Sequence, residues 1–299
     1  IKQLMQTVVK RTKKTFVPKH KITSVAIIPI TKGIDLDRFC HQLEESLQSY
    51  TRAKLLTPSI IKEEQNKANA AQQGLTDYED EYAMLLYQTK KKLDKWTEEC
   101  VGKVDKILII ADAKQSPKIR GFEEKLSAML ANTNHAAWEL VLLHPSKCQK
   151  PKNTNLWLKN RTLNRHYHIA QNESKDFQKL ARFLTGNTVG VALSGGGFRA
   201  IVQAGILHAL MEGGIPIDII GGSSGGAFIG GGYACLDQPE EVPLMVERGQ
   251  KFFKSSKKLI SVGASSCFPK IIRTSTFSLS LSFKSSLTWS ESFKYGLII

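Results

Sequence analysis

Two glycine-rich turns in the second half of the chain hold the residue types that acyl-transfer chemistry needs. The first is Ser194-Gly195-Gly196-Gly197-Phe198-Arg199. It lies between an apolar run and a helix-patterned segment, so its backbone N–H groups sit at the positive end of a helix dipole. Glycines there let an anion approach the amides closely, whether a phosphate or an oxyanion that develops during a reaction. The second is Gly221-Gly222-Ser223-Ser224-Gly225-Gly226. A GxSxG sequence between a strand and a helix is a nucleophile elbow, a sharp turn that exposes a serine hydroxyl. GGSSGG contains two overlapping matches, one centred on Ser223 and one on Ser224, and the spacing leaves both open.

Other chemistries find less support. Cys40, Cys100, Cys148, Cys235 and Cys267 are scattered, with no CxxC pair and no Cys/His cluster at metal-ligand spacing. The expectation is reduced thiols in a cytosol-facing protein, with no metal and no organic cofactor. His208 is the only histidine after His168. It falls roughly 15 Å along the helix that follows the glycine loop, which argues for a packing or surface role rather than a general base.

The net charge is +15, with basic residues bunched from Lys10 to Lys21 and again at Lys251, Lys254, Lys257 and Lys258. Phe252 and Phe253 lie in the second cluster. Basic surface with aromatic side chains suits anionic lipid headgroups. No RNA- or DNA-binding motif accompanies it, so nucleic acid is not expected as a partner. No stretch is apolar for long enough to predict a transmembrane helix.

These turns need elements to hold them. Residues 1–22 are basic and aperiodic and read as a linker. From there short apolar runs alternate with amphipathic stretches. Strands are expected at Ser24–Ile30, Leu55–Leu56, Lys106–Ala111, Glu139–Leu143 and His166–Ile169. Helices are expected at Asp35–Tyr50, from Thr57-Pro58 onward, over Tyr78–Glu99, near Gly121–Leu130 and at Lys175–Leu184. Such alternation predicts a parallel sheet covered by helices on both faces. There is no GxxxxGK[ST] loop, so nucleotide binding is not expected. Past residue 188, buried strands are expected at Val189–Leu193 and Ile217–Ile220. Phe198–Met211 reads as a helix apolar almost all round, buried in the middle of a domain. Ala227–Ala234 reads as a helix of small residues. Ser275–Ser286 fits either an edge strand or a low-complexity tail.

The run LARFLTGNTVGVALSGGGFRA, followed by AGILHALMEGGIPIDIIGGSSGGAFIGG, resembles the patatin-like phospholipase family. More narrowly, with SVAIIPI, DKILIIADA and WELVLLHP upstream, it is similar to the neuropathy target esterase group of lysophospholipases. The resemblance spans roughly residues 22–250. It implies an α/β block at 23–187, then a patatin-like α/β hydrolase domain at 188–299, incomplete and atypical from about residue 260. It also implies a Ser-Asp dyad, with Ser224 as the nucleophile and Gly222 and Gly226 framing the elbow. The amides of Gly195, Gly196 and Gly197 would form the oxyanion hole, and Arg199 would steady the loop or a lipid phosphate.

Two departures stand out. Ala200 occupies a position that is usually glycine in the family. The family's aspartate lies in an Asp-Gly pair downstream of the nucleophile, yet here the last aspartate is Asp237, followed by Gln238. The expectation is therefore a serine hydrolase that releases fatty acid from phospholipid or lysophospholipid esters at a membrane surface, on the cytosolic face of the endoplasmic reticulum. Its aspartate is missing from this chain. The alternative is a truncated, catalytically inactive protein that binds lipid or a partner.

Overall fold

The structure, a computed structural model, describes residues 22–61, 76–131, 137–146, 151–234, 236, 241, 247 and 297–298. The chain divides into two compact units, one of residues 1–146 and 162–186, the other of 147–161 and 187–299. Residues 1–21 of the basic linker, the Lys251–Lys258 cluster, Asp237 and the Ser275–Ser286 stretch lie outside the described residues.

The first unit is an α/β sheet. Its strands are β1 (Ser24–Pro29), β2 (Ala53–Leu56), β3 (Met84–Gln88), β4 (Lys106–Asp112), β5 (Ala137–His144) and β6 (Arg165–Ala170). They lie in the order β2-β3-β1-β4-β5-β6, and every neighbouring pair is parallel. A central strand covered on both faces needs a continuous apolar run. Val25 to Ile28 and Ile107 to Ala111 supply it and are fully buried.

The helix α1 (Leu36–Gln48) forms because Phe39, Leu43 and Leu47 recur at helical spacing, and all three are buried. Asp35 starts it by accepting from the Arg38 amide at 3.0 Å. On the same core lies the helix α6 (Ser174–Thr185), through Phe177, Leu180 and Leu184. The Phe39 and Phe177 rings meet at 5.4 Å.

The expected long helix over Tyr78–Glu99 does not form. Three elements replace it: the helix α2 (Thr76–Glu81), strand β3, and the helix α3 (Lys95–Lys103). Met84 to Tyr87 are buried between β2 and β1, and a short apolar run inside a sheet cannot be told from a buried helical turn by periodicity alone. Asp94 restarts the helix by accepting from the Thr97 amide at 2.9 Å. Residues 58–61 are helical after Thr57, as its proline suggested. Gly121–Ala131 forms α4.

In the second unit the short helix α5 (Thr154–Leu158) had no counterpart in the sequence reading. Strands β7 (Gly190–Leu193) and β8 (Ile219–Gly222) pair in parallel, and β9 (Leu297–Ile298) pairs antiparallel to β8. Only Leu193 of β7 is buried, contrary to the expected buried strand. A 3-10 turn over Gly197–Ile201 precedes the helix α7 (Val202–Glu212). That helix also departs from expectation. Ala204 and Leu207 are buried, whereas Val202 and Ile206, a turn apart on another face, are 67% and 54% exposed. The helix α8 (Gly225–Tyr233) packs its small residues against β7 and β8, around Leu193, Ile220 and Ile229. No described helix is long and apolar enough to cross a membrane.

Candidate active site

The site lies where β7 and β8 deliver their two turns side by side. Strand β8 runs further than expected, through Gly221 and Gly222, so the chain passes from extended backbone into the turn at Ser223. The start of the pair is clasped by Asp218, whose Oδ2 accepts from the Val189 amide at 3.0 Å. The far end is closed by the Ser223 amide, which donates to the Leu193 carbonyl at 3.1 Å.

Ser224 then takes φ 50° and ψ −120° as the N-cap of α8. An L residue at positive φ is held there only if its surroundings over-determine it. Here they do. A Cβ on Gly222 would lie 2.5 Å from the Gly226 carbonyl carbon, and one on Gly226 would lie 2.6 Å from the carbonyl oxygens of Leu193 and Ser194. Glycine at 222 and 226 lets the helix start directly over the strand ends. Gly225 is equally confined, since a Cβ there would lie 2.7 Å from both the Ala200 methyl and the Gly197 oxygen. Ala200 is buried and is not among the residues at positive φ, so alanine is accommodated at this position. Both Ser223 and Ser224 are exposed.

The glycine loop reaches the same place. A Cβ on Gly195 would sit 3.3 Å from the Ser224 Cβ. The Gly195 amide donates to Ser223 Oγ at 3.1 Å. Gly196 is extended, and Gly197, at φ +56°, turns the chain into the 3-10 segment. Gln203 Nε2 donates to the Ser194 carbonyl at 2.8 Å, which fixes the loop from the helix that follows. Neither the Ser223 nor the Gln203 contact was foreseen. Ser223 was visible only as a neighbour of the candidate nucleophile, and nothing in the spacing marks Gln203.

Arg199 is exposed on the 3-10 turn. His208 lies on the surface of α7, with Nδ1 3.6 Å from Glu212 Oε2, in keeping with a surface role. The arrangement thus presents one strained serine hydroxyl at a helix N-terminus, beside a loop of closely approachable amides. That is the equipment for attack on a carbonyl and for holding the oxygen that becomes negative.

Residues 21–175 match the model for the neuropathy target esterase family P-loop like domain. Residues 191–296 match the model for patatin-like phospholipase. Among similar proteins, neuropathy target esterase sws of Drosophila willistoni is 34% identical over 245 residues, covering 71% of this chain and 16% of the relative. Its counterpart in Drosophila sechellia is 31% identical over 273 residues, 80% of this chain and 18% of the relative. Patatin-like phospholipase domain-containing protein 7 of Rattus norvegicus is 32% identical over 252 residues, 73% of this chain and 18% of the relative. The chain spans less than a fifth of the length of these relatives.

Proposed function

The chain belongs to the neuropathy target esterase family, and on that premise we propose that it carries the serine site of a lipid ester hydrolase. Ser224 attacks the ester carbonyl of a phospholipid or lysophospholipid. The tetrahedral oxyanion rests on amides of Gly195, Gly196 and Gly197. Its collapse breaks the ester C–O bond and expels the lipid alcohol, which takes up the proton given up by Ser224. Water then releases the fatty acid from the acyl-enzyme. The observation that carries the reading is the strained backbone of Ser224 at the start of α8, next to the glycine loop. It favours Ser224 over Ser223, because the elbow serine is the one at the strained turn.

The family resemblance calls for an aspartate as the partner that takes the serine proton, in an Asp-Gly pair downstream. No aspartate follows Asp237 in this sequence. Asp218 is engaged by the Val189 amide at the base of the strand pair and serves as a structural clasp. The substrate is presented at a membrane surface on the cytosolic face of the endoplasmic reticulum. Support for the surface comes from the family and from the net charge of +15.

The test is labelling of the 299-residue chain with a fluorophosphonate, beside fatty-acid release from lysophosphatidylcholine, with Ser224→Ala as control. Labelling that disappears in the control supports the assignment. A wild-type chain that takes up no probe, or a Ser224→Ala chain that still does, overturns it.

A further inference from the structure

Gly195, Gly196 and Gly197 carry no side chains that could fix the direction of their amides. Ser194 to Gly197 are all exposed, so packing does not fix them either. Turning over the peptide plane between Ser194 and Gly195 changes mainly ψ of Ser194 and φ of Gly195. Glycine takes positive and negative φ about equally well, so sterics at Gly195 leave both orientations open. The two differ in chemistry. In one, the Gly195 N–H points to the elbow. In the other, the Ser194 carbonyl oxygen does, and its dipole opposes a developing oxyanion instead of stabilising it.

The plane is held at both ends. The peptide is trans, so its oxygen and its N–H point opposite ways. At one end the Gly195 amide donates to Ser223 Oγ at 3.1 Å. At the other, Gln203 Nε2 donates to the Ser194 carbonyl at 2.8 Å. The two side chains come from different elements, Ser223 from the turn after β8 and Gln203 from the second position of α7. Both have anchored backbones. The Ser223 amide donates to the Leu193 carbonyl, and Gln203 is followed by Ala204 and Leu207, which are fully buried in the core of the second unit. The Ser194 oxygen lies where a Cβ on Gly226 would meet it at 2.6 Å, so glycine at 226 makes room for the carbonyl that Gln203 holds. A Cβ on Gly195 would lie 3.3 Å from the Ser224 Cβ, which places the clamped peptide beside the strained serine.

We infer that Gln203 is a positioning residue for the proposed ester hydrolysis. It acts through the Ser194 carbonyl. By keeping that oxygen on the α7 side, it keeps the Gly195 N–H, and the loop that follows, directed at the elbow. The inference rests on the reading of Ser224 as nucleophile and of the glycine loop as oxyanion hole.

The test uses the full 299-residue chain and two readouts. The first is exchange of the Gly195 amide proton with water, followed by NMR with no probe present. Gln203→Met keeps the reach of the side chain and removes the donor, and should speed exchange about fivefold. Gln203→Lys keeps a donor at similar reach and should restore the wild-type rate. His208→Gln, on the same helix, should change nothing. The second readout is saturation kinetics of fluorophosphonate labelling. In that reaction Ser224 Oγ attacks phosphorus, fluoride leaves and the hydroxyl proton passes to solvent. Removing an oxyanion donor outright costs about 10²–10³ in rate, and a donor that is loosened should cost less. Gln203→Met should therefore lower the maximal labelling rate about tenfold while the probe concentration at half-saturation stays the same, and Gln203→Lys should recover it. Thermal melting checks that the variants stay folded. Wild-type exchange or wild-type labelling in Gln203→Met, or a Gln203→Lys as impaired as Gln203→Met, overturns the positioning role. No labelling of the wild type, or labelling that persists in Ser224→Ala, overturns the serine reading on which the inference rests. Faster Gly195 exchange in Gln203→Met then shows that the clamp stands and that the nucleophile is what failed.

Discussion

The Gly195 amide donates to Ser223 Oγ across 3.1 Å, so the glycine loop is fastened to the neighbour of the strained serine and not to that serine. Ser223 therefore positions the loop while leaving the Ser224 hydroxyl uncommitted to it. A neutral hydrogen bond of this kind contributes about 1 kcal/mol, so Ser223→Ala should slow fluorophosphonate labelling of Ser224 about fivefold. Ser223→Thr keeps the hydroxyl and should restore the rate. Faster labelling in Ser223→Ala would instead mean that Ser223 competes with the oxyanion for the amide.

The glycines of the elbow divide into those with room and those without. A Cβ on Gly226 meets two carbonyl oxygens at 2.6 Å, and none of those atoms belongs to a flexible side chain. Gly226→Ala should destabilise the second unit by about 3 kcal/mol or prevent it from folding. Gly231, on the same helix, has nothing within 4 Å of its would-be Cβ. Gly231→Ala should stabilise by up to about 1 kcal/mol through helix propensity. Thermal melting of the pair checks the contrast. Equal effects would show that α8 does not sit on the strand ends as described.

The sheet was legible where one physical signal acted alone. Val25–Ile28 and Ile107–Ala111 are apolar runs with no competing helical pattern, and both became central strands. Tyr78–Glu99 failed because Tyr78 and Tyr82 match a helical stripe that runs straight into Met84–Tyr87. Whether those four residues coil or extend is decided by the vacancy between β2 and β1, which no local window contains. In α7 the composition was read correctly, but burial depends on what lies against each face, and the Val202 and Ile206 face is exposed. At the site, the glycines marked the two turns because the crowding they relieve is local. The register of the serine pair was different. It needed the family resemblance in the sequence, and the positive φ of Ser224 is the feature of the structure that supports the proposed assignment.

Three histidines at one edge of the sheet should make the first unit sensitive to acid. His144 Nε2 and His168 Nδ1 share a hydrogen bond of 2.9 Å, and the His166 ring meets the His168 ring edge-on at 5.7 Å. Burial first, then His144 and His166, push the His168 pKa down to about 4. Burial also lowers His144 and His166. A folded-state pKa below the unfolded value of 6.5 means that the unfolded chain takes up the proton first as pH falls. Stability is then full above 6.5, declines as pH drops toward 4, and stops declining from this source once the folded state protonates too. The loss from His168 is at most about 3 kcal/mol, less what solvent screens at its partly exposed ring. Urea unfolding across that range should show the slope, and His168→Gln should flatten it. An unchanged slope in the variant would assign the acid sensitivity to other groups.

Near the start of β5, a single carboxylate is held by two partners. Lys106 Nζ lies 2.6 Å from Glu139 Oε1, and both side chains are less than a tenth exposed. The Tyr167 hydroxyl donates to Glu139 Oε2 at 2.7 Å, and burial and the Glu139 charge raise its pKa well above the usual tyrosine range, which keeps it a neutral donor. The three residues come from β4, β5 and β6, so the contact links the strands on that side of the sheet. Removing one member of a buried pair leaves an uncompensated charge, and Glu139→Ala should therefore cost about 3–5 kcal/mol. Tyr167→Phe removes only one bond and should cost about 1–2 kcal/mol. The double change Lys106→Met with Glu139→Leu removes both charges and keeps the volume filled. It should recover most of the loss, because desolvating two ions offsets much of their attraction. A double-mutant cycle on urea unfolding measures this directly. A double variant as unstable as Glu139→Ala would mean that the ion pair contributes net stability to the sheet, beyond satisfying its own buried charges.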